Sequence, residues 1–115
     1  MKTLILGLLL LVGGVAHAAS YGAISYSPST GVSGGAWNYS CASEAQNASV
    51  GYCGQADCRP VVWVGSGCAA LAVGENRNIN GWAWNGDKGI AQWSALQNCS
   101  NQDSGCRVVY SMCSF

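Results

Sequence analysis

The segment Cys58–Trp63 (CRPVVW) recurs near the end of the chain as Cys106–Tyr110 (CRVVY), once Pro60 is skipped, and this recurrence decides the fold. Upstream of each copy, the tripeptide AWN occurs at Ala36–Asn38 and again at Ala83–Asn85. Rare residues that recur in the same order, with small changes in spacing, are typical of a duplicated unit. The sequence therefore predicts an internal repeat.

The two predicted copies cover about residues 21–68 and 69–113. Short β-rich runs bounded by Gly, Pro, Ser and Asn predict strands, and each copy has the order strand-strand-helix-strand. The predicted strands are 21–26, 34–39, 59–64, 69–73, 80–85 and 107–112. The fold class is therefore α+β: two pseudo-symmetric repeats that form an antiparallel-rich sheet with two helices, stabilised by disulfides.

Two polar residues mark the predicted helix starts. Ser43, with Gln46 three residues later, has the spacing of a capping box. Asp87 precedes the second helix, which extends through Asn98, and its carboxylate can accept a hydrogen bond from the first turn. In that helix we expect Ala91, Ala95 and Cys99 to form a narrow stripe against the sheet.

The first 18 residues predict a secretory signal peptide. Lys2 precedes an apolar run at Leu4–Val15, and Ala16–Ala18 has the small residues of a cleavage site. A membrane-spanning helix needs about 20 apolar residues, which this run does not reach. We expect cleavage after Ala18 or one residue later, which leaves residues 19–115 as a single secreted or periplasmic domain without a membrane span.

Composition excludes several functional classes. Charged residues make up 9% of the chain, and five Lys/Arg balance five Asp/Glu, whereas binding of nucleic acid needs clustered basic residues. The hydrophobic fraction of 50% excludes an intrinsically disordered tail. The one histidine, His17, lies in the predicted leader, so the mature chain lacks the usual base for nucleophilic catalysis. Its carboxylates fall at predicted caps and turns, and we expect no enzyme activity and no cofactor.

Seven cysteines lie in the mature part, and a small secreted chain uses them as a disulfide framework. Spacing favours the local pairs Cys53–Cys58 and Cys99–Cys106. We expect Cys68–Cys113 to link the two copies and Cys41 to remain a free thiol, although six cysteines allow 15 connectivities. Zinc is the alternative, but neither local pair has CxxC spacing and no histidine assists.

The tryptophans are the candidate partner-binding residues. Trp82 and Trp84 lie two apart on a predicted strand and project from one face, and Trp37 is the first-copy equivalent of Trp84. Trp93 lies on the side of its helix opposite the small-residue stripe. Burial in the core is the more common role for such residues, and stacking on sugar rings is a third role. Trp63, inside an apolar strand, is expected in the core.

Arg59 and Arg107 occupy matched positions directly after a cysteine, at the start of matched strands. This placement favours a structural role, in which each guanidinium pairs with carboxylates or carbonyls at the strand ends. An anion-binding or catalytic pair is the alternative.

The sequence also resembles a known family, the bacterial secreted domain of unknown function 4189. The resemblance is carried by Tyr21–Tyr26 (YGAISY), Cys53, Cys58–Trp63 and Gly67–Ala72 (GCAALA), and it covers essentially the whole mature chain. Pro60 and Cys41 depart from the family pattern. The resemblance implies a secreted or periplasmic bacterial protein with no established reaction.

Together these observations predict a non-enzymatic secreted module that binds another protein, as an inhibitor, an immunity factor or an effector. The alternative is a module that binds cell wall or glycan through the same tryptophans. We expect no nucleic-acid partner.

Overall fold

The computed structural model describes residues 19–115, and the predicted signal peptide at residues 1–18 lies outside the described residues. The predicted strand-strand-helix-strand order occurs twice, so the predicted fold class is confirmed. The elements are β1 (Tyr21–Tyr26), β2 (Ser33–Tyr39), α1 (Ala42–Cys53), β3 (Arg59–Gly65), β4 (Gly67–Val73), β5 (Asn80–Asn85), α2 (Lys88–Ser100) and β6 (Arg107–Ser114). Among residues 19–115, no helix combines the length and apolarity needed to cross a membrane.

The strands form two three-stranded antiparallel sheets, ordered β2-β1-β3 and β5-β4-β6. Each sheet has a register shift at the same place, after Ile24 in β1 and after Leu71 in β4. Beyond this shift, Ser25 pairs with Pro60, and Ala72 pairs with Val108. Pro60 and Val108 are therefore structural counterparts, and the skip at Pro60 in the sequence alignment is wrong, because an edge strand such as β3 accommodates proline within its ladder.

The main core lies between the two sheets, where alternate residues of the strands face each other. Side chains at every second position of β1, β3 and β4 point inward, as the two-residue period of a strand requires. The buried residues of this core are Ile24, Tyr26, Val62, Val64, Ala69, Leu71, Val73 and Met112. The sheets thus pack face to face as the middle of a four-layer arrangement.

The helices cover the outer faces, α1 on the first sheet and α2 on the second. The predicted stripe of Ala91, Ala95 and Cys99 is fully buried, which confirms its orientation. Small side chains let the helix backbone come close to the sheet. At Gly81 in β5, a Cβ atom would lie 2.3 Å from the backbone nitrogen of Cys99. At Gly34 in β2, a Cβ atom would meet the corresponding backbone atoms at the end of α1.

The two helix starts differ from each other. Asp87 caps α2 as predicted, and its Oδ1 accepts a hydrogen bond of 3.0 Å from the backbone nitrogen of Ile90. The capping box predicted at Ser43 is wrong. The helix α1 begins at Ala42, and its N-cap, Cys41, makes no side-chain cap hydrogen bond. The backbone at Cys41 is extended and the helix follows it directly, so the N-cap lies two residues before the predicted one. Ser43 is therefore already in the first turn of the helix.

Three disulfides join the expected cysteine pairs, Cys53–Cys58, Cys99–Cys106 and Cys68–Cys113, and Cys41 is a partly exposed free thiol. The Cys68–Cys113 bridge does not link the two copies as expected. The chain leaves β3 through Ser66, whose φ is 51°, and β4 starts at Gly67. Cys68 therefore belongs to the second sheet, directly opposite Cys113 on β6.

In each sheet, one carboxylate accepts hydrogen bonds from the hairpin turn between the first two strands. Asp57, in the loop after α1, accepts hydrogen bonds from the hydroxyl of Ser27 and the backbone nitrogen of Ser29. Asp103, in the loop after α2, accepts from the backbone nitrogen of Asn76 at 2.8 Å. These hydrogen bonds stabilise the charged form, with the Ser27 hydroxyl as the main cause at Asp57 and the Asn76 amide at Asp103, and they lower the pKa of each carboxyl.

Candidate binding surface

All five tryptophans are substantially exposed, so the expected burial of indole rings in the core is wrong. Their exposed fractions are 47% for Trp37, 48% for Trp63, 45% for Trp82, 60% for Trp84 and 63% for Trp93. Tryptophan is costly to leave in water, because it carries a large apolar surface. Five exposed indoles in so small a domain therefore make the tryptophans candidates for a contact surface.

Trp63 was expected in the core, and its exposure follows from the position of β3. Among residues 19–115, β3 pairs with β1 alone and forms an edge of the first sheet. Val62 and Val64 face the buried space between the sheets, so Trp63 points to the opposite face. The alternation is not visible in the sequence, because the residues on both faces of this strand, valine and tryptophan, are apolar. Pro60 was the available signal, since proline within a strand indicates an edge.

Trp82 and Trp84 lie on β5, an edge of the second sheet. They pair with Leu71 and Ala69 of the central strand, both of which face the space between the sheets. Cross-strand partners project to the same face, so the two indoles also point towards the first sheet. Because β5 is the last strand on this side, the rings extend past the core to the open edge of the sandwich.

The exposed edges of β3 and β5 together form one depression of about 580 Å³, which we call the edge groove. Its lining consists of Ala19, Tyr21, Val61, Val62, Trp63, Val64, Gly65, Trp82 and Trp84. Five of these residues are consecutive in β3, which means that the groove follows the unpaired edge of the strand. None of the lining side chains carries a formal charge at neutral pH.

One wall of the edge groove is an aromatic pair, Tyr21 and Trp63. Their ring centroids lie 6.1 Å apart at an interplanar angle of 47°, a tilted arrangement within the favourable range. Gly65, opposite Tyr21 in the ladder, lets the phenol ring lie across the backbone, because a Cβ atom there would be 3.0 Å from the ring. Tyr21 was not among the predicted binding residues, and nothing in its local sequence indicates this placement.

Trp37 lies at a second depression on the far edge, in β2, also about 580 Å³ in volume and lined in part by Tyr39, Tyr52 and Tyr110. Here Gly35 takes the ladder position that Trp82 occupies in the second sheet. A Cβ at Gly35 would lie 2.3 Å from the ring of Tyr110, so a tyrosine from β6 covers this position.

Of the four predicted partner-binding residues, only Trp82 and Trp84 line the same depression. Trp37 lines the depression on the far edge. Trp93 projects from α2 on the side away from the buried Ala91 and Ala95. Neither Trp37 nor Trp93 lines the edge groove, whereas Trp63 does.

Outside the edge groove, the charged side chains of residues 19–115 lie in turns or at exposed positions. Asp57 and Asp103 are engaged in turns. Arg59 and Arg107 are exposed, and neither guanidinium donates a hydrogen bond within residues 19–115, so the structural pairing expected for them is not present there. In the same part of the chain, no three His, Cys, Asp or Glu side chains come together as a metal site.

A family profile with the description Domain of unknown function (DUF4189) matches residues 21–113. The chain belongs to the DUF4189 family. The predicted resemblance is thereby confirmed, and the family's description assigns no activity. No curated protein matches the sequence.

A solved structure similar to this DUF4189 chain is the NMR structure of Rv1813c from Mycobacterium tuberculosis. The two chains share 27% sequence identity and superpose with a TM-score of 0.59, over 85% of the present chain and 77% of the mycobacterial one. Rv1813c therefore has a similar fold.

Proposed function

We propose that this protein is a non-enzymatic binding module that holds an extended, apolar segment of another protein in the edge groove. The observation that carries the proposal is the coincidence, in one place, of an unpaired strand edge and exposed aromatic rings. The rings are those of Trp63, Trp82 and Trp84, with Tyr21 beside them.

The strand edge supplies backbone hydrogen bonds. In an antiparallel strand, the N–H and C=O groups of alternate residues point away from the paired neighbour. Along β3 these outward groups face the groove, between Val61 and Gly65. An extended peptide can pair with them and add a strand to the sheet, while its side chains enter the flanking pockets.

The aromatic rings supply the apolar contact. Tryptophan and tyrosine are enriched among residues that dominate binding energy at protein interfaces, because they bury a large area with few rotatable bonds. The scaffold holds them rigidly. Trp82 and Trp84 lie on a strand of a sheet bridged by Cys68–Cys113, and Trp63 packs against Tyr21 in a tilted arrangement.

The chemistry of the lining favours a protein partner over the glycan alternative. A sugar ring presents many hydroxyl groups, each of which loses affinity if it is desolvated without a partner. The polar side-chain atoms that line the groove belong to the phenol of Tyr21 and the indole N–H groups of its tryptophans. An apolar peptide places fewer polar atoms against this surface.

We also propose that the protein acts outside the cytoplasm. Three disulfides in a domain of this size are typical of an oxidising compartment. The predicted signal peptide supports the same location and provides the route of export.

Selection of random peptides displayed on phage tests the proposed function. We expect enrichment of extended segments rich in β-branched and aromatic residues, and loss of at least tenfold in affinity in Trp84→Ala or Trp82→Ala, each checked for folding by circular dichroism. Trp93→Ala is the matched control, because its indole is about as exposed as that of Trp84 but lies on α2. Equal loss in the control, or selective binding of peptidoglycan fragments with no peptide enriched, would refute the proposal.

A further inference from the structure

Ala19 lies at one end of the edge groove and is held in place by the residue that follows it. The backbone nitrogen of Ser20 donates a hydrogen bond of 3.2 Å to Ser66 Oγ, and the backbone nitrogen of Ser66 donates one of 2.8 Å to the Ser20 carbonyl. The Ser20 hydroxyl also shares a hydrogen bond of 2.6 Å with the hydroxyl of Ser114. Ser20 is thus fastened to two further segments of the chain, and Ala19 is positioned beside the groove.

Cleavage after Ala18 would create an α-amino group at this position. Such an amine has a pKa of about 8, so it is largely protonated at neutral pH. The remaining lining carries no formal charge, and Tyr21 is the one titratable side chain in it. Processing would therefore add a single positive charge to an otherwise neutral, aromatic groove.

We infer that the processed protein recognises the C-terminus of its partner, with the partner's terminal carboxylate paired to the α-amino group of Ala19. The inference deepens the proposed function and rests on it, as well as on cleavage after Ala18. Carboxylate and ammonium groups are complementary in charge, and a carboxylate is the one anionic group that every extended peptide carries at its end.

The direction of the strands fixes how such a peptide would lie. β3 runs from Arg59 towards Gly65, and Gly65 is opposite Tyr21, two residues from Ala19. A peptide that runs parallel to β3 along its open edge therefore ends at the Gly65 end of the groove, and Ala19 lines the groove at this end. An antiparallel peptide would place its C-terminus at Val61, at the far end of the groove. The inference thus specifies a parallel strand whose last residues contact Trp82 and Trp84.

The test uses the full chain expressed with its leader, exported to the periplasm of a bacterial host and purified in its processed form. N-terminal sequencing should return Ala19. The probe is a fluorescein-labelled peptide, Gly-Ser-Thr-Val-Thr-Val, made with a free C-terminal carboxylate and, separately, as the C-terminal amide. Selective acetylation blocks the α-amino group, and Lys88→Arg, which removes the other amine of residues 19–115, controls for side-chain modification.

We expect fluorescence anisotropy to show binding of the acid up to about fivefold tighter than binding of the amide, the upper end of the range for one solvent-accessible ion pair. Acetylation should abolish this preference and leave the amide unaffected. Equal affinity of acid and amide, with both weakened by Trp84→Ala, would overturn the inference and leave the proposed function intact. The inference would also be overturned if acetylation abolished binding of the acid and the amide alike, or if the processed protein began at a residue other than Ala19. Competition by decanoate as effective as by the peptide would overturn the assignment of a peptide partner.

Discussion

Gly81→Ala is expected to destabilise the fold, although the substitution adds one methyl group to a strand. The added Cβ would lie 2.3 Å from the backbone nitrogen of Cys99 and 2.5 Å from the carbonyl oxygen of Ala95. Both atoms belong to the backbone of α2, so no side-chain rotation can relieve the contact. The helix must move by about 1 Å to restore ordinary van der Waals separation.

The cost can be estimated from two opposing effects. Overpacking of a well-packed interior typically costs about 1–3 kcal/mol. Replacement of glycine by alanine reduces the entropy of the unfolded chain, which returns about 0.5–1 kcal/mol. The movement of α2 is further restricted because Cys99 is bridged to Cys106 in the adjoining loop. We therefore expect a net loss of about 1–2 kcal/mol, which corresponds to roughly 4–16 °C in Tm for a domain of this size.

Thermal unfolding followed by circular dichroism, with the disulfides intact, measures this loss. Gly51→Ala is the matched control, because it makes the same chemical change inside α1, where a Cβ meets nothing within 4 Å. This variant should gain up to about 1 kcal/mol from helix propensity. If Gly81→Ala raises the Tm as Gly51→Ala does, α2 does not approach β5 as closely as described.

Three further measurements follow from the described contacts. The pKa values of Asp57 and Asp103 are lowered in the folded state, so the stabilisation from these carboxylates is complete above the unfolded pKa near 4 and is lost as the pH falls through the lower folded values. Between about pH 5 and pH 2, the urea midpoint should therefore fall less in the Asp57→Asn/Asp103→Asn variant than in the wild type. Replacement of Cys68 and Cys113 together by serine should cost about 4 kcal/mol, against about 2 kcal/mol for a local bridge, because it opens a loop with a separation of 45 residues; equal urea-unfolding losses for the two bridges would contradict this. Native protein should take up one equivalent of iodoacetamide per chain by mass spectrometry, at Cys41, and uptake of none would show that this thiol is engaged.

Local chemistry in the sequence was enough to predict the elements and their order. Turn residues bounded the strands, Asp87 capped its helix, and the spacing of the cysteines predicted the two local bridges. The third pair, Cys68–Cys113, was expected correctly, but as a link between the two copies, whereas both cysteines belong to the second sheet. The capping box at Ser43 failed because the motif specifies only spacing, and the chain entered the helix at Cys41. The predicted boundary between the two copies, after Cys68, was wrong because the chain turns from one sheet to the other at the single residue Ser66. A turn of one residue does not change the pattern of apolar and turn-forming residues in the sequence.

The candidate site was harder to predict because it depends on which strands are edges. Trp82 and Trp84 share a strand face, which the sequence shows, but whether that face is covered depends on the sheet above it. Trp63 and Tyr21 meet only because β1 and β3 pair with Gly65 opposite Tyr21. Neither the pairing nor the edge position is encoded within a single segment. The exposure of Trp93 was predictable, since it follows from helical period alone.

The placement of the bridges has a consequence for oxidative folding. Two of the three bridges, Cys53–Cys58 and Cys99–Cys106, have sequence separations of 5 and 7. Each joins the last turn of a helix to the loop that follows it. Short loops close at low entropic cost, so these pairs are favoured statistically even in an unstructured chain. Once both have formed, the remaining thiols are Cys41, Cys68 and Cys113. The native choice among three pairings is then made by the β4–β6 ladder, which sets Cys68 opposite Cys113 and leaves Cys41 on the helix start. Strand pairing rather than thiol proximity thus selects the last bridge, and a variant that weakens β6 should accumulate a two-bridge intermediate during oxidative refolding.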